Sequence, residues 1–184
     1  MKIASWNVNS LKVRLPQVLD WINLNQPDVL CLQETKQNND NFPHDVFEKR
    51  GLFSYHNGQN TYNGVAIISN KELIDVQFDI PNFYDEQKRL ISGIYPNDEG
   101  PKFRVISAYI PNGQSLNSDK FEYKMNWLKS FISSLQKKID GVENIITGDF
   151  NIAPTKLDCY DSKSWDGKIL VSLKSENISI NYLI

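Results

Sequence analysis

Residues 2–8 alternate between apolar and polar side chains, which predicts a β-strand. Residues 15–25 change to a helical repeat. Leu15, Val18, Leu19 and Ile22 share one face, and Pro16 suits a first helical turn. Pro27 and Asp28 break that pattern. Residues 28–34 are then almost wholly apolar, as expected of a short strand covered on both faces. Strand, helix and strand at this spacing predict a crossover unit. A polar loop follows over 35–43, centred on Asn38-Asn39-Asp40-Asn41. Strands are predicted over 52–56, 65–69, 73–78, 90–95 and 103–110, the last two joined by a turn at 97–101. With no helices between them, these strands predict an antiparallel or mixed sheet.

The clearest helix is predicted over 119–139. Phe121, Met125, Leu128, Ile132, Leu135 and Ile139 form one apolar stripe, with Ser118 as N-cap and Asp140-Gly141 as the stop. Residues 143–147 then predict a buried strand that delivers Asp149 and Asn151. Residues 175–184 open a further helical pattern with Ile178 and Leu183 apolar. The order of elements predicts an α/β fold, a layered α/β sandwich, in a single domain over 1–184.

Composition narrows the class without naming a function. The 184 residues are 40% hydrophobic and 23% charged, ordinary for a globular chain, and four Trp, eight Tyr and nine Phe argue against disorder. The net charge of −2 provides no global field for a polyanion, so nucleic-acid binding requires a local basic patch. No run approaches the roughly 18 apolar residues of a membrane span. Lys2 is followed by alternation rather than a long apolar stretch, so no signal peptide is expected. Cys31 reads as a small core residue. Two cysteines without secretory context suggest a reducing, cytoplasmic setting.

Three predicted strands end in oxygen-bearing side chains: Trp6-Asn7-Val8-Asn9, Gln33-Glu34-Thr35, and Gly148-Asp149-Phe150-Asn151-Ile152-Ala153-Pro154. Taken singly, each has a bland reading. Glu34 is a solvated strand end, Asp149 an Asx-type turn, Asn7 a structural amide and Tyr109 a half-buried aromatic. Taken together, they are what hydrolysis of a phosphodiester needs: oxygen ligands for a hard divalent ion, a base for water, and donors where charge develops. Glu34 is read as the metal ligand, Asp149 as the base, and Asn7 and Asn151 as neutral donors or orienting groups. Zinc is disfavoured because His44 and His56 lie away from these motifs.

Seven blocks, in order, carry a family resemblance. They are Trp6-Asn7-Val8-Asn9-Ser10-Leu11, Pro27-Asp28-Val29-Leu30-Cys31-Leu32-Gln33-Glu34-Thr35-Lys36, Tyr62-Asn63-Gly64-Val65-Ala66-Ile67, Gln87-Lys88-Arg89-Leu90-Ile91, Tyr109-Ile110-Pro111-Asn112-Gly113, Lys120-Phe121-Glu122-Tyr123-Lys124 with Trp127-Leu128, and 148–154. The chain resembles the exonuclease III group, the bacterial AP endonuclease and 3′-exonuclease branch of the endonuclease/exonuclease/phosphatase superfamily.

The resemblance implies two packed mixed β-sheets flanked by helices. It also implies a Mg²⁺-dependent DNA-repair nuclease, with Mn²⁺ as a substitute ion, that cuts duplex DNA 5′ to abasic sites and trims 3′ ends. Glu34 would bind metal, with Asn7, Asp149 and Asn151 around it. Tyr109 would contact the scissile phosphate, Asp149 would orient or deprotonate water, and Asn151 would support the oxyanion. Asn9, Asn63, Arg89, Asn112, Lys120 and Lys124 fall in the same blocks and would take DNA-side or supporting roles. Lys120 and Lys124, four apart, are expected to share an exposed helix face.

Other readings are a superfamily member acting on phospholipid, inositol phosphate or RNA, and a non-catalytic DNA-binding remnant. The family's later Trp-rich segment, a further metal-region Asp and a terminal Asp-His pair have no counterpart in these residues. The expectation is therefore a chain truncated at its C-terminus, with an incomplete second sheet, an exposed strand edge and weak or no turnover. The complete protein is expected to be a monomer.

Overall fold

The computed structural model describes residues 1–97, 100–137, 139–165 and 168–171. The helix expected over 175–184 lies outside the described residues. The chain divides into two compact units, one of Met1–Tyr109 with Lys138–Asp149, the other of Ile110–Lys137 with Phe150–Ile184.

The first unit holds two four-stranded sheets. Strands β1 (Ile3–Asn7), β2 (Val29–Gln33), β3 (Phe53–Asn57) and β4 (Val65–Ser69) form one sheet in the order β1-β2-β4-β3. Strands β5 (Ile74–Phe78), β6 (Leu90–Tyr95), β7 (Lys102–Tyr109) and β8 (Val142–Asp149) form the other in the order β5-β6-β7-β8. Both sheets are mixed. The pairs β1/β2 and β7/β8 are parallel, and the remaining pairs are antiparallel.

Alternation in β2 explains the layering. Leu30 and Leu32 point to one face, where they pack with Val8, Leu11, Val18, Ile22, Phe42 and Phe47. Val29 and Cys31 point to the other, where they meet Leu73, Ile91, Tyr95 and Val105. A period of two therefore sends one set of side chains to the helices and the other to the second sheet. Helix α1 (Leu11–Asn25) and the short α2 (His44–Glu48) supply the helical side of that first cluster. Between the sheets, the buried Gln33 Nε2 donates to Ser107 Oγ at 3.1 Å, a polar cross-link one residue before Glu34. Burial pushes the Cys31 thiol up to about 12, against smaller opposing hydrogen bonds with Thr147 and Ser107, so it stays an inert thiol.

Several elements differ from the sequence pattern. Helix α1 starts at Leu11, a turn before the predicted residue 15, and Pro16 lies in its interior. Tertiary bonds set that start: the Ser10 N–H donates to the Glu34 carbonyl at 2.7 Å and the Leu11 N–H to the Thr35 carbonyl at 3.0 Å. Pro16 brings no N–H to the carbonyl four residues earlier, that of the exposed residue Lys12. Helix α2 falls just after the predicted loop, in a stretch where no element was predicted. Five residues are too few for a periodic signal, and Phe47 alone anchors it in the core.

Strand β8 was expected to be buried. Glu143 and Asn144 are exposed and the rest is half-buried, because among the described residues β8 is the outermost strand of its sheet.

The second unit carries α3 (Asp119–Leu135), capped as predicted by the Ser118 hydroxyl, which accepts from the Phe121 N–H at 3.2 Å. Phe121, Lys124, Trp127, Leu128, Phe131 and Ile132 are its buried residues. The helix stops at Leu135, short of the predicted 139. Ile139 is instead bridged to Val142 across a tight turn in which Gly141 takes φ +70°, and extended backbone there is incompatible with another helical turn. Ile139 is 43% exposed, so it does not extend the apolar stripe. No described helix is long and apolar enough to cross a membrane.

Candidate active site

Within the first unit, four strands end together. Asn7 closes β1 and Glu34 follows β2. Tyr109 and Asp149 are paired in register at the ends of the parallel strands β7 and β8. Parallel pairing in each sheet puts the carboxyl ends of both strands on the same side, where sites in α/β proteins collect.

The site is organised around one amide. Asn7 Nδ2 donates to Glu34 Oε1 at 2.9 Å and to Asp149 Oδ2 at 2.8 Å. Its other end is committed, since Asn7 Oδ1 accepts from the Asn9 N–H at 3.1 Å. That backbone donor fixes which way the amide points. Asn7 therefore turns its nitrogen toward the two carboxylates. In this orientation it spaces and holds them.

Glu34 carries most of the remaining contacts. Tyr109 Oη donates to Oε1 at 3.0 Å, and Lys36 Nζ pairs with Oε2 at 3.0 Å. Burial pushes the Glu34 carboxyl up, but the bonds from Asn7, Lys36 and Tyr109 outweigh it and leave the group below its usual range. The Tyr109 phenol moves the other way. Burial first, then the adjacent Glu34 charge, pushes it up to about 12, so it stays a donor.

Arg89 packs over Tyr109. Its guanidinium carbon lies 4.7 Å from the ring centroid, and Nη1 donates to the Tyr109 carbonyl at 3.2 Å. Gln87 holds Arg89 in place, since Gln87 Oε1 accepts from Arg89 Nη2 at 2.7 Å and Nε at 3.0 Å. The same oxygen accepts from buried Asn63 at 3.3 Å.

The backbone under these side chains is unusual. Asn9 (φ 42°), Glu34 (φ 54°), Lys36 (φ 53°) and Asn63 (φ 55°) all occupy the left-handed region without being glycine. Each such residue costs about 1–3 kcal/mol and persists only where its surroundings over-determine it. They do so here. The Thr35 N–H donates to the Gly64 carbonyl, Lys36 N–H to the Asn63 carbonyl, and Gly64 N–H to the Lys88 carbonyl. Gly64 must lack a side chain, because a Cβ there would stand 2.1 Å from Thr35 Oγ1. Thr35 Oγ1 is also bonded to His56 Nε2 at 2.8 Å.

The donor set suits a hard cation. Glu34 and Asp149 provide carboxylate oxygens, with no imidazole or thiolate beside them. Among the described residues no group of three or more His, Cys, Asp or Glu stands together. Carboxylate oxygens are the donors that hard divalent cations take.

The remaining predicted residues lie in the second unit. Asn151 Nδ2 donates to the Ile110 carbonyl at 2.9 Å, and Asn112 Nδ2 donates to Asn151 Oδ1 at 3.1 Å. Lys124 Nζ donates to the Asn151 carbonyl at 2.7 Å. Lys124 is fully buried while Lys120 is exposed, so the two lysines do not form the shared outer face expected from their spacing. Three contributors were not singled out from sequence: Lys36, Gln87 and the Thr35–His56 pair. Lys36, Gln87 and Thr35 sit inside the quoted blocks, but nothing in composition tells a polar residue that touches Glu34 or Arg89 from one that faces water.

Residues 4–170 match the model of the endonuclease/exonuclease/phosphatase family. The chain belongs to that family. Its relatives place it in the exonuclease III/AP endonuclease branch. It is 35% identical over 161 residues to exodeoxyribonuclease III of Haemophilus influenzae, covering 86% of this chain and 60% of that one. All of this chain superposes on 70% of a 3′–5′ exonuclease from Neisseria meningitidis, with TM-score 0.93 and 41% identity. An AP endonuclease from Archaeoglobus fulgidus gives TM-score 0.91 at 33% identity, again with 100% of this chain and 70% of that one. The family member described here thus spans less than two thirds of its Haemophilus relative.

Proposed function

We propose that this chain belongs to a Mg²⁺-dependent DNA phosphodiesterase, with Mn²⁺ as a substitute ion. Its substrates are duplex DNA with abasic sites, incised on the 5′ side, and 3′ ends, trimmed by hydrolysis. The reading rests on one observation above all: a single Asn7 nitrogen holds one oxygen from Glu34 and one from Asp149. Two carboxylates kept that close repel each other unless a donor or a cation lies between them.

Glu34 would hold the divalent ion, and the ion would polarise the phosphoryl oxygen and stabilise the leaving oxygen. Asp149 takes the water proton. Tyr109, kept protonated, donates to a phosphate oxygen, and Arg89 over its ring adds positive charge. Asn151 keeps the oxyanion-supporting role on the strength of its motif, and Asn112 positions its amide. Asn9, Asn63, Lys120 and Lys124 are supporting groups, with Lys124 acting through the Asn151 backbone. Both cysteines are free, in keeping with a cytoplasmic location.

The test is incision of an abasic duplex in Mg²⁺ by the protein expressed from its whole reading frame, beside Glu34→Gln and Asp149→Asn. The expected result is metal-dependent cleavage 5′ to the lesion, reduced at least a thousandfold in both variants (an order of magnitude typical of groups that act as a unit). Cleavage unaffected by either substitution would overturn the reading.

A further inference from the structure

Lys36 has no part in the function just proposed, yet it makes the closest ionic contact to the residue assigned to the metal. Its Nζ lies 3.0 Å from Glu34 Oε2 and also donates to Asn9 Oδ1. Oε1, the other Glu34 oxygen, faces Asn7 and Tyr109. The lysine is held there by its backbone, which adopts φ 53° and donates its N–H to the Asn63 carbonyl at 3.0 Å. Its side chain is 29% exposed and that of Glu34 19%, so the pair is only partly screened by water.

We infer that Lys36 is a built-in counter-cation. It occupies the position between Glu34 Oε2 and Asn9 Oδ1, confines the site to one divalent ion, and sets how tightly that ion is held. The inference rests on the metal reading of Glu34. Two physical arguments carry it. A fixed ammonium that pairs with one carboxylate oxygen lowers the negative potential any second cation feels at the same carboxylate. Asn9, being neutral, also adds no charge to draw a second ion into the Lys36 position.

The experiment is a Mn²⁺ titration followed by the paramagnetic resonance signal of the free ion, at fixed pH and ionic strength, without DNA. The expected wild-type result is one Mn²⁺ per chain, lost in Glu34→Gln. Lys36→Met and Lys36→Gln should bind Mn²⁺ about tenfold more tightly, the scale of one nearby unit charge in a partly screened site. Lys36→Arg should keep wild-type affinity. Two neutral replacements of different polarity guard against one that fails to fold, and thermal melts identify such a failure. Wild-type binding of one ion that neither neutral variant tightens overturns the counter-cation while leaving the metal reading intact. Two ions in the wild-type chain overturn the one-ion limit. No Mn²⁺ bound at Glu34 in any variant overturns both the metal reading and this inference.

Discussion

Asn7 Nδ2 stands 2.8 Å from Asp149 Oδ2, although 142 positions of chain separate the two residues. Asn7 ends the first strand of one sheet and Asp149 the last described strand of the other. This contact, with the bond from Tyr109 Oη to Glu34 Oε1, joins the two sheets at the edge where the candidate chemistry sits.

Replacing Asn7 by Ala should therefore do more than remove a side chain. Two bonds to charged oxygens are lost, each worth about 1.5–3 kcal/mol. Incision of abasic duplex should fall about a hundredfold, the rate equivalent of roughly 2.7 kcal/mol. Steady-state kcat/KM beside a denaturation curve separates this from unfolding. A loss smaller than threefold would show that the amide is a bystander.

Gly148 should tolerate no side chain. A Cβ there would stand 1.9 Å from the Ala108 carbonyl oxygen and 2.8 Å from its carbon, both backbone atoms of β7. Gly148→Ala must spread the β7/β8 pair and disturb the Tyr109–Asp149 register, at a cost of about 3 kcal/mol or more. Gly141 gives the contrast. It has φ +70° and open space around a Cβ, so Gly141→Ala should cost only about 1–2 kcal/mol of backbone strain. Thermal melts of the two variants test this ranking.

His56 should make the fold sensitive to acid. Burial, then the nearby His44, lowers it from an ordinary value near 6.5 to about 3. The unfolded chain therefore binds a proton between those values while the folded one does not. Stability is full above pH 6.5 and is lost progressively as pH falls toward 3, by up to about 1.4 kcal/mol per unit. His56→Gln keeps a partner for Thr35 without titrating. Urea unfolding of both proteins from pH 7 to pH 4 should show a shallower acid loss in the variant, and parallel curves would remove His56 from the account.

Arg89 should not be replaceable by Lys. The planar group makes two bonds to Gln87 Oε1 and stacks over Tyr109, and an ammonium can do neither in that geometry. Arg89→Lys should lose about as much activity as Arg89→Ala, on the order of tenfold. Gln87→Ala, which frees the guanidinium but leaves its charge, should lose less. Full activity in Arg89→Lys would show that charge alone matters.

The strands were legible in the sequence where one physical signal dominated. An unbroken apolar run at β2, alternation at β1 and a long stripe in α3 each reflect burial on known faces. Misreadings arose where tertiary bonds outweighed local pattern. The carbonyls of Glu34 and Thr35 start α1 early, and the turn at Gly141 stops α3 early. The edge position of β8 leaves Glu143 and Asn144 in water. Lys120 and Lys124 have the spacing of an exposed pair, yet one is exposed and the other fully buried. Spacing assigns a face but not what covers it.

The order of residues by itself determined that oxygen-bearing side chains end three of the strands. Side-chain type and strand periodicity are local properties that any reader of the chain can see. Only the tertiary structure decided which oxygens meet. Parallel pairing brings Asp149 beside Tyr109, and packing of the sheets brings both to Asn7 and Glu34. It also decided that Asn7 faces the carboxylates with nitrogen and that Lys36 holds Glu34. Left-handed backbone at Glu34 and Lys36 aims those groups. No propensity favours that conformation in either residue, so only the bonds that pin the loop can impose it.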